Sequence, residues 1–547
     1  LKVLNGAQIV VETLSYLGIS TVFGYPGGVV LNLYDELFKQ DKIKHYLTRH
    51  EQAAIHAAEG FARVSRKCGV VFVTSGPGAL NIVTGLANAY KDGFPVLAIT
   101  GQVRKSALGK DSFGETDICN ITKSITKANF QVTCAKDLQK VILDAYHIAM
   151  SGKKGPVLID ILKDVFLEET EVPDLQLQKN CETMNEIFNT NFSYDINEVL
   201  QSICKASAPV IIAGGGVLQA DACDELYLFS KKLNIPVVNT MMGLGSYPQN
   251  DENYYGMAGL FGIPYANRIL KESDLIISVG ARFNNRIRCC FKNNELDNKI
   301  IQIDINQDSV SKVIPVKFSL TGDAKHILRH LLNVLDIMNF DIPSRKEWFE
   351  RINSLKSVNI VYNKKSELLH SFEVLEEVNS FTKQYSPVIV TEVGQHQIWA
   401  ARIFNSVRAG EFVTAGGLGT MGFGLPASIG ASIASPEKTI ICIAGDGSLQ
   451  MNIQELATLK DYNLPVKIMV MNNGYLGMVR QLQEKVCDAR FVETRLNNPD
   501  FVKLAEAYGI KAFRVENYSQ IQPVLDKIFN INEPVLVDFV IEPMEVL

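Results

Sequence analysis

Nine short apolar runs recur along the chain, each followed by a helical or turn pattern, and this alternation constrains the fold more than any other feature. They are VVFVTS (70–75), FPVLAITG (94–101), GPVLIDI (155–161), APVIIAGGG (208–216), DLIISVGA (274–281), KIIQIDIN (299–306), PVIVTEVG (387–394), TIICIAGDG (439–447) and VKIMVMNN (466–473). Most are rich in Val and Ile and are apolar on both faces. Strands buried inside a parallel sheet, with helices on both sides, read this way. The fold class is therefore α/β, with doubly wound parallel sheets. Several runs end in Gly, Asp, Asn or Ser, where the chain turns toward the next helix. In open α/β sheets that carboxyl edge is where ligands sit.

Two polar stretches divide the runs into three groups. Residues 166–195 carry few strand or glycine signals, and residues 336–370 are charged, lack strand signals and read as partly helical. Cutting there predicts three domains, near 1–165, 190–340 and 365–547. A chain of 547 residues is long enough for each to bury its own core. The first and third blocks share a similar rhythm, and no short-period repeat is present.

Composition narrows the function classes. Hydrophobic residues at 47% and charged residues at 21% exclude disorder as the main state. A net charge of −5 leaves no electrostatic footprint for nucleic acid or an anionic membrane. No apolar run reaches the roughly 18–20 residues of a spanning helix. The opening LKVLNGAQIVVETLSYLG reads as an amphipathic helix, without the layout of a signal peptide. Ten cysteines occur without a C-x-x-C pair, and Cys289–Cys290 are adjacent. That usage fits thiols in a reducing, cytoplasmic setting.

The chemistry concentrates in the third block. A buried strand runs into Gly445-Asp446-Gly447-Ser448, a helix-like segment follows, and a second strand ends at Asn472-Asn473. A strand–helix–strand unit returns the chain to the same sheet edge, so Asp446 and Asn473 meet there. The glycines admit a ligand close to the backbone. Asp446 and Asn473 offer hard oxygens suited to Mg²⁺, which prefers one or two carboxylates plus phosphate oxygens.

GDGS followed at this distance by NN resembles the Mg²⁺/diphosphate motif of thiamine-diphosphate enzymes. The closer resemblance, over nearly the whole chain, is to the catalytic subunit of the acetohydroxyacid synthase (acetolactate synthase) family. It is carried by FGYPGG (23–28), RHEQAAIHAAEGFAR (49–63), TSGPGALN (74–81), GPVLIDILKDV (155–165), GLGSYP (243–248), GARFNNR (280–286), VGQHQIWAA (393–401), GGLGTMGFGLPA (416–427), MNIQELAT (451–458) and NNGYLGMVRQ (472–481). The resemblance implies a pyruvate-oxidase-like architecture: an aminopyrimidine-binding domain, a central domain and a diphosphate- and Mg²⁺-binding domain.

It also implies roles, residue by residue. Glu51 is the carboxyl bonded to the aminopyrimidine ring, where it promotes the imino tautomer that removes the thiazolium C2 proton. Met421 is the bulky residue beneath the cofactor that forces its V shape. Asp446, Asn473 and the Tyr475 carbonyl hold the metal. Gln395 and His396 contact the diphosphate. Gly27, Gly28, Pro77, Asn81, Gly419, Gly445, Gly447, Ser448, Gly477 and Met478 complete the cofactor set. Glu51 and the diphosphate site come from different subunits in this family, which implies a homodimer or homotetramer, with a regulatory subunit as a further partner.

In the middle block, Gly214-Gly215-Gly216 and Arg282 resemble the family's FAD site, where the flavin does no net redox work. Asn284-Asn285 replace the typical acidic pair, and Phe261 replaces a frequent His. The substrate set comprises Val29, Phe113, Gly114, Lys127, Arg286, Val479 and Leu482. Arg286 resembles the Arg that faces the substrate carboxylate, and a guanidinium suits a 2-oxo acid. Two positions depart: Gly114 stands where the family has Gln, and Leu482 where it has Trp. Both remove volume from the acceptor pocket, and one methylene of preference is worth about 1–3 kcal/mol. The expected activity joins pyruvate, after loss of CO₂, to a second carbonyl, giving 2-acetolactate or 2-aceto-2-hydroxybutyrate in branched-chain amino acid biosynthesis. The alternatives are a bulkier acceptor such as a keto-sugar, decarboxylation to an aldehyde, or a homologue that binds cofactor without turnover.

Overall fold

The computed structural model describes residues 1–175, 195–291, 296, 299–356, 366–404 and 408–547. All nine apolar runs become strands, and all nine lie inside a sheet rather than at its edge. The first sheet runs, in spatial order, Lys44–Leu47, Thr21–Tyr25, Gly69–Val73, Val96–Gln102, Pro156–Leu162, Ala128–Val132. The third runs Phe412–Thr414, Val388–Thr391, Ile440–Gly445, Lys467–Asn472, Val535–Val540, Lys511–Val515. In both, the strands lie in the sequence order second, first, third, fourth, sixth, fifth. Every pairing within the sheets is parallel. The shared rhythm of the two blocks is a shared topology.

The middle sheet differs. Its order is Tyr254–Met257, Val237–Asn239, Pro209–Ala213, Leu275–Val279, Ile300–Asp304, Phe318–Thr321. In sequence terms this is 3-2-1-4-5-6, the order that opens a crevice for a dinucleotide between its first and fourth strands.

The first and middle blocks each keep a core of their own, and a further core joins the first block to the third. One cluster of buried side chains runs from Phe23, Ala54 and Val71 of the first block to Phe423, Leu456 and Val470 of the third. Two helices make the junction, Glu51–Ser65 and Gly424–Ala434. They cross at Gly60 and Gly430. A methyl group on Gly60 would overlap the Ala427 carbonyl, and one on Gly430 would overlap the Ala57 carbonyl.

Both stretches read as linkers carry structure. Within 166–195, Glu169–Val172 pairs antiparallel with Lys2–Asn5, so the chain's opening is a strand before it becomes the helix Gly6–Tyr16. Residues 176–194, including Cys181, lie outside the described residues. Within 336–370, the helix Lys346–Lys356 packs on the middle block through buried Trp348. Arg345, also buried, donates to the carbonyls of Ile203, Ala206 and Leu233. The helix buries a short stripe, Trp348 and Ile352 with Phe349 and Leu355 beside them, among charged residues that mask it in the sequence. Among the described residues no helix is long and apolar enough to cross a membrane.

Candidate active site

The carboxyl edge of the third sheet gathers the first group of site residues. Gly445 and Met471 are paired on adjacent strands, so Asp446 and Asn473 emerge side by side. Asp446 Oδ2 accepts the Gly474 amide at 2.8 Å and the Asn498 side chain at 2.7 Å. Asn473 Oδ1 accepts the Tyr475 amide at 3.0 Å. Burial pushes the Asp446 carboxyl up to about 6, against the hydrogen bonds from Asn498 and the Gly474 amide. The segment after GDGS is not one helix. It runs Asp446–Leu449, then a tighter turn Gln450–Glu455 broken at Asn452, then Leu456–Asp461. At the break, the Asn452 side chain donates to the Gly422 carbonyl at 2.7 Å, which ties the Met421 loop to this edge.

Around this pair stand Gln395, His396, Met421 and Gly477. The helix Gln395–Ile403 starts here. A side chain on Gly477 would overlap Gln395 Oε1 and come within 2.7 Å of Asn473 Nδ2, and one on Gly445 would come within 2.9 Å of His396. His396 is buried, its Nε2 has no partner, and burial pushes its ring down to about 4, so the imidazole is neutral. Met421 reaches toward Gly447, whose added Cβ would lie 3.9 Å from the Met421 methyl. Ser448 is buried on the same turn, while Met478 and Tyr475 are half-buried on the segment after Asn473. Glycine-lined space, an orphaned buried nitrogen and a set of hard oxygens fit a diphosphate with Mg²⁺.

The carboxyl edge of the first sheet gathers the second group. Glu51 is the first residue of its helix, capped by His50, whose Nδ1 accepts the Gln52 amide at 3.1 Å. Asn81 Nδ2 donates to Glu51 Oε2 at 2.9 Å, and a side chain on Gly78 would lie 3.3 Å from Glu51 Oε1. Gly27 packs against Thr74, Val29 against Gly101, and Gly76 against Gly114. Gly28 and Pro77 are exposed beside them. Gly114 has φ +76, which strains any side chain, so backbone conformation explains its small size here. Phe113 next to it is fully exposed at 104%.

No hydrogen bond among the described residues joins the Glu51 group to the Asp446 group. Val479 (44% exposed) and Leu482 (50%) face outward on the helix Gly477–Val486. The middle block contributes Arg286, whose Nη2 lies 4.0 Å from where a Cβ on Gly419 would sit. Lys127 is not brought to either group. It precedes its strand, at the amino edge of the sheet, and its ammonium donates to the carbonyls of Ile148 and Ser151 at a helix end.

A cavity of about 550 Å³ opens at the crevice of the middle sheet. Gly215, Gly216, Gly280, Arg282 and Asp304 line it, with Lys91, Asp92 and Lys153 from the first block and Ile398 and Gly416 from the third. Gly214 and Gly216 have a packing duty as well, since side chains there would strike Gly280 and Ala281. A cavity of this size at the switch point fits a dinucleotide such as FAD.

Three supporting residues escaped the sequence reading. Asn498 donates both to Asp446 and to Asn472. Its signal was the Asn-Asn-Pro turn at 497–499. Glu392 is buried at the end of an apolar strand and accepts the Gly424 amide at 2.6 Å, while its other oxygen has no partner. Burial pushes it up to about 7. Its signal was a carboxylate directly before the Val-Gly-Gln-His turn. Glu455 bridges to the backbone before Glu51, and nothing in its local sequence announced that reach.

Family comparisons agree with this geometry. Residues 4–121 match the N-terminal TPP binding domain of thiamine pyrophosphate enzymes, 196–331 the central domain, and 392–539 the C-terminal TPP binding domain. Fold and site together define a thiamine-diphosphate-dependent enzyme. The chain is 38% identical to the acetolactate synthase large subunit of Haemophilus influenzae, over 100% of this chain and 96% of that protein. It is 40% identical to the acetolactate synthase large subunit of Lactococcus lactis (100% and 94%). It is 37% identical to the acetolactate synthase isozyme 3 large subunit of Escherichia coli (100% and 96%). The chain belongs to the acetolactate synthase large-subunit family.

Proposed function

We propose that the protein condenses two molecules of pyruvate into 2-acetolactate and CO₂, using thiamine diphosphate and Mg²⁺, and accepts 2-oxobutyrate as a second acceptor. The observation that carries this reading is the division of the site into two complementary halves. One presents a proton-holding carboxyl, Glu51 bonded to Asn81. The other presents hard oxygens and glycine-lined space around Asp446 and Asn473. The halves stand apart in one chain, which supports a homodimer or a larger homo-oligomer whose sites lie between subunits. A smaller regulatory subunit is the further partner, since the relatives are named large subunits.

Thiamine diphosphate, when bound, supplies the nucleophile and the sink for the electron pair released with CO₂. Glu51 holds a proton at its carboxyl oxygen against a ring nitrogen, and Asn81 sets the direction of that carboxyl. Asp446, Asn473 and the Tyr475 carbonyl hold Mg²⁺, leaving phosphate oxygens to complete its shell. Gln395 and the neutral His396 face the diphosphate, with Gly445, Gly447, Ser448, Gly477 and Met478 around it. Met421 and Gly419 support the cofactor from beneath. Arg286 binds the pyruvate carboxylate. Val29, Phe113, Gly114, Val479 and Leu482 border the acceptor. FAD occupies the cavity of the middle block. The three functional domains span 1–165, 190–340 and 365–547.

The test supplies purified protein with thiamine diphosphate and Mg²⁺, with and without FAD, and follows CO₂ and acetolactate together after pyruvate is added. Two pyruvates consumed per CO₂, matched by acetolactate, is the expected result. CO₂ without acetolactate would move the reading to a bulkier ketone acceptor or to decarboxylation. No CO₂ with bound cofactor would overturn pyruvate as donor.

A further inference from the structure

The third block grips the main chain just before Glu51. Both oxygens of Glu455 accept the Arg49 amide, at 2.9 and 3.2 Å, and the carboxylate also faces the His50 amide. The Thr458 hydroxyl donates to Glu455 at 2.7 Å and fixes its rotamer. The Tyr462 hydroxyl accepts the Leu47 amide at 2.8 Å, and Asp461 pairs with the Arg49 side chain at the surface.

Glu455 is 0% exposed, and among the described residues no Lys, Arg or His side chain within ion-pairing distance faces it. Burying a carboxylate on those terms is costly. The chemistry of the clamp explains why the group is a carboxylate. Two successive backbone N–H groups need an acceptor-only partner, and a carboxylate has about four acceptor sites and no donor. A Gln would turn one N–H donor toward another. Glu51 follows these amides by one or two residues and starts its helix, so the clamp sets where that helix begins and where its first side chain points.

Resting on the function proposed above, we infer that Glu455 is a positioning residue for Glu51: its carboxylate fixes the Arg49–His50 main chain and so aims the Glu51 carboxyl at the cofactor's aminopyrimidine ring. Glu455 touches neither cofactor nor substrate in this role. Its effect falls on proton transfer and not on cofactor affinity, because the diphosphate is held by the separate Asp446 group. A displacement of about 1 Å in a reacting group costs on the order of 100-fold, so partial loosening should cost about tenfold.

The experiment loads wild-type enzyme and Glu455→Gln with thiamine diphosphate and Mg²⁺. It measures exchange of the cofactor's C2 proton with deuterated water in the absence of pyruvate, together with cofactor affinity by calorimetry. Glu455→Gln is expected to slow exchange and pyruvate turnover by about the same tenfold factor, with affinity changed less than about threefold. Glu455→Asp, which keeps the acceptor-only group on a shorter arm, should fall between. Asp461→Asn removes only the exposed ion pair and should match wild type. Exchange at the wild-type rate in Glu455→Gln with cofactor bound would overturn the inference, as would affinity falling in step with turnover. If Glu455→Gln does not fold, Glu455→Asp carries the test, and wild-type exchange in that variant with cofactor bound overturns the inference equally. A wild-type enzyme that exchanges no proton would remove the functional reading itself, and the inference with it.

Discussion

The first and third blocks share one strand order, yet the Glu59 cluster of the first and three buried carboxyls of the third are balanced in opposite ways. In the first block, burial raises the pKa of Glu59, but the Arg63 guanidinium, with His56 and Asn88, outweighs it and holds the carboxyl below its ordinary range. Arg63 also pairs with Asp92 at 2.6 Å, and Asp92 accepts the Gly417 amide at 2.7 Å. Charges in that cluster are matched inside the chain, whereas Asp160, buried in the same block, is pushed up by burial and bonded to Thr100, Gln102 and Gln131. In the third block, burial pushes Glu392, Glu455 and Glu545 each up to about 7, with backbone amides and hydroxyls as their main partners. A guanidinium neutralises Glu59, while these three carboxyls meet neutral partners, although the third block also pairs Asp538 with Arg514 and Glu411 with Lys438. Glu392 and Glu455 lie within the residues matched by the C-terminal TPP binding domain. Topology places the carboxyls, and the partner each one meets decides which way its pKa moves.

The comparison breaks most visibly at the two half-sites. Glu51→Gln and Asp446→Asn should each lower acetolactate formation by at least about 100-fold while the fold is kept. If each site takes one half from each subunit, mixing the two inactive variants regenerates one intact site per mixed dimer, about a quarter of wild-type activity. Activity that stays at background after subunit exchange would place both halves in the same chain.

The junction of the blocks comes next. Gly430→Ala forces a methyl into the Ala57 carbonyl and should cost about 1–3 kcal/mol or more, read as a fall in Tm on the order of 5 °C. Gly28→Ala, where an added methyl meets no atom, should leave Tm unchanged.

The pH response sharpens the electrostatic contrast. Glu392, Glu455 and Glu545 have folded-state values above their ordinary 4.5, so their contribution is full below about 4.5 and is lost as pH rises through about 7. Glu59 is lowered, so its contribution is present above the ordinary 4.5 and lost only as pH falls below it. Between pH 5.5 and 8 the cofactor-free protein should lose hydrogen-exchange protection around Glu392, Glu455 and Glu545 while the segments around Glu59 do not. Glu392→Gln should flatten that slope, and equal losses in both regions would contradict the assignment. The smallest effect belongs to Lys127. Burial lowers its pKa to about 8, and it caps a helix end, so Lys127→Met should lower Tm slightly and leave turnover within about twofold.

Nine interior strands were legible because burial on both faces leaves a continuous apolar run, while Thr21–Tyr25, Val237–Asn239 and Val535–Val540, also interior, are not among those runs. The six edge strands, such as Phe412–Thr414 and Lys511–Val515, are absent from those runs, because one side of an edge strand faces no neighbour and its sequence is freer. At the site, Asp446 and Asn473 were legible because one strand–helix–strand unit carries both. Asn81 beside Glu51 was legible through the family resemblance alone. Glu455 was not, since its partners lie 406 positions away in sequence.

The crossing of Gly60 and Gly430 limits the history open to this chain. Elsewhere a side chain that grows can be accommodated by a neighbour that shrinks, and Leu482, half exposed on its helix, sits at a position with such freedom. Where backbone meets backbone, the neighbour has nothing left to lose. Sequence change at this crossing therefore has no compensating partner, and the two blocks are committed to their mutual placement while an exposed helix face such as that of Leu482 can drift.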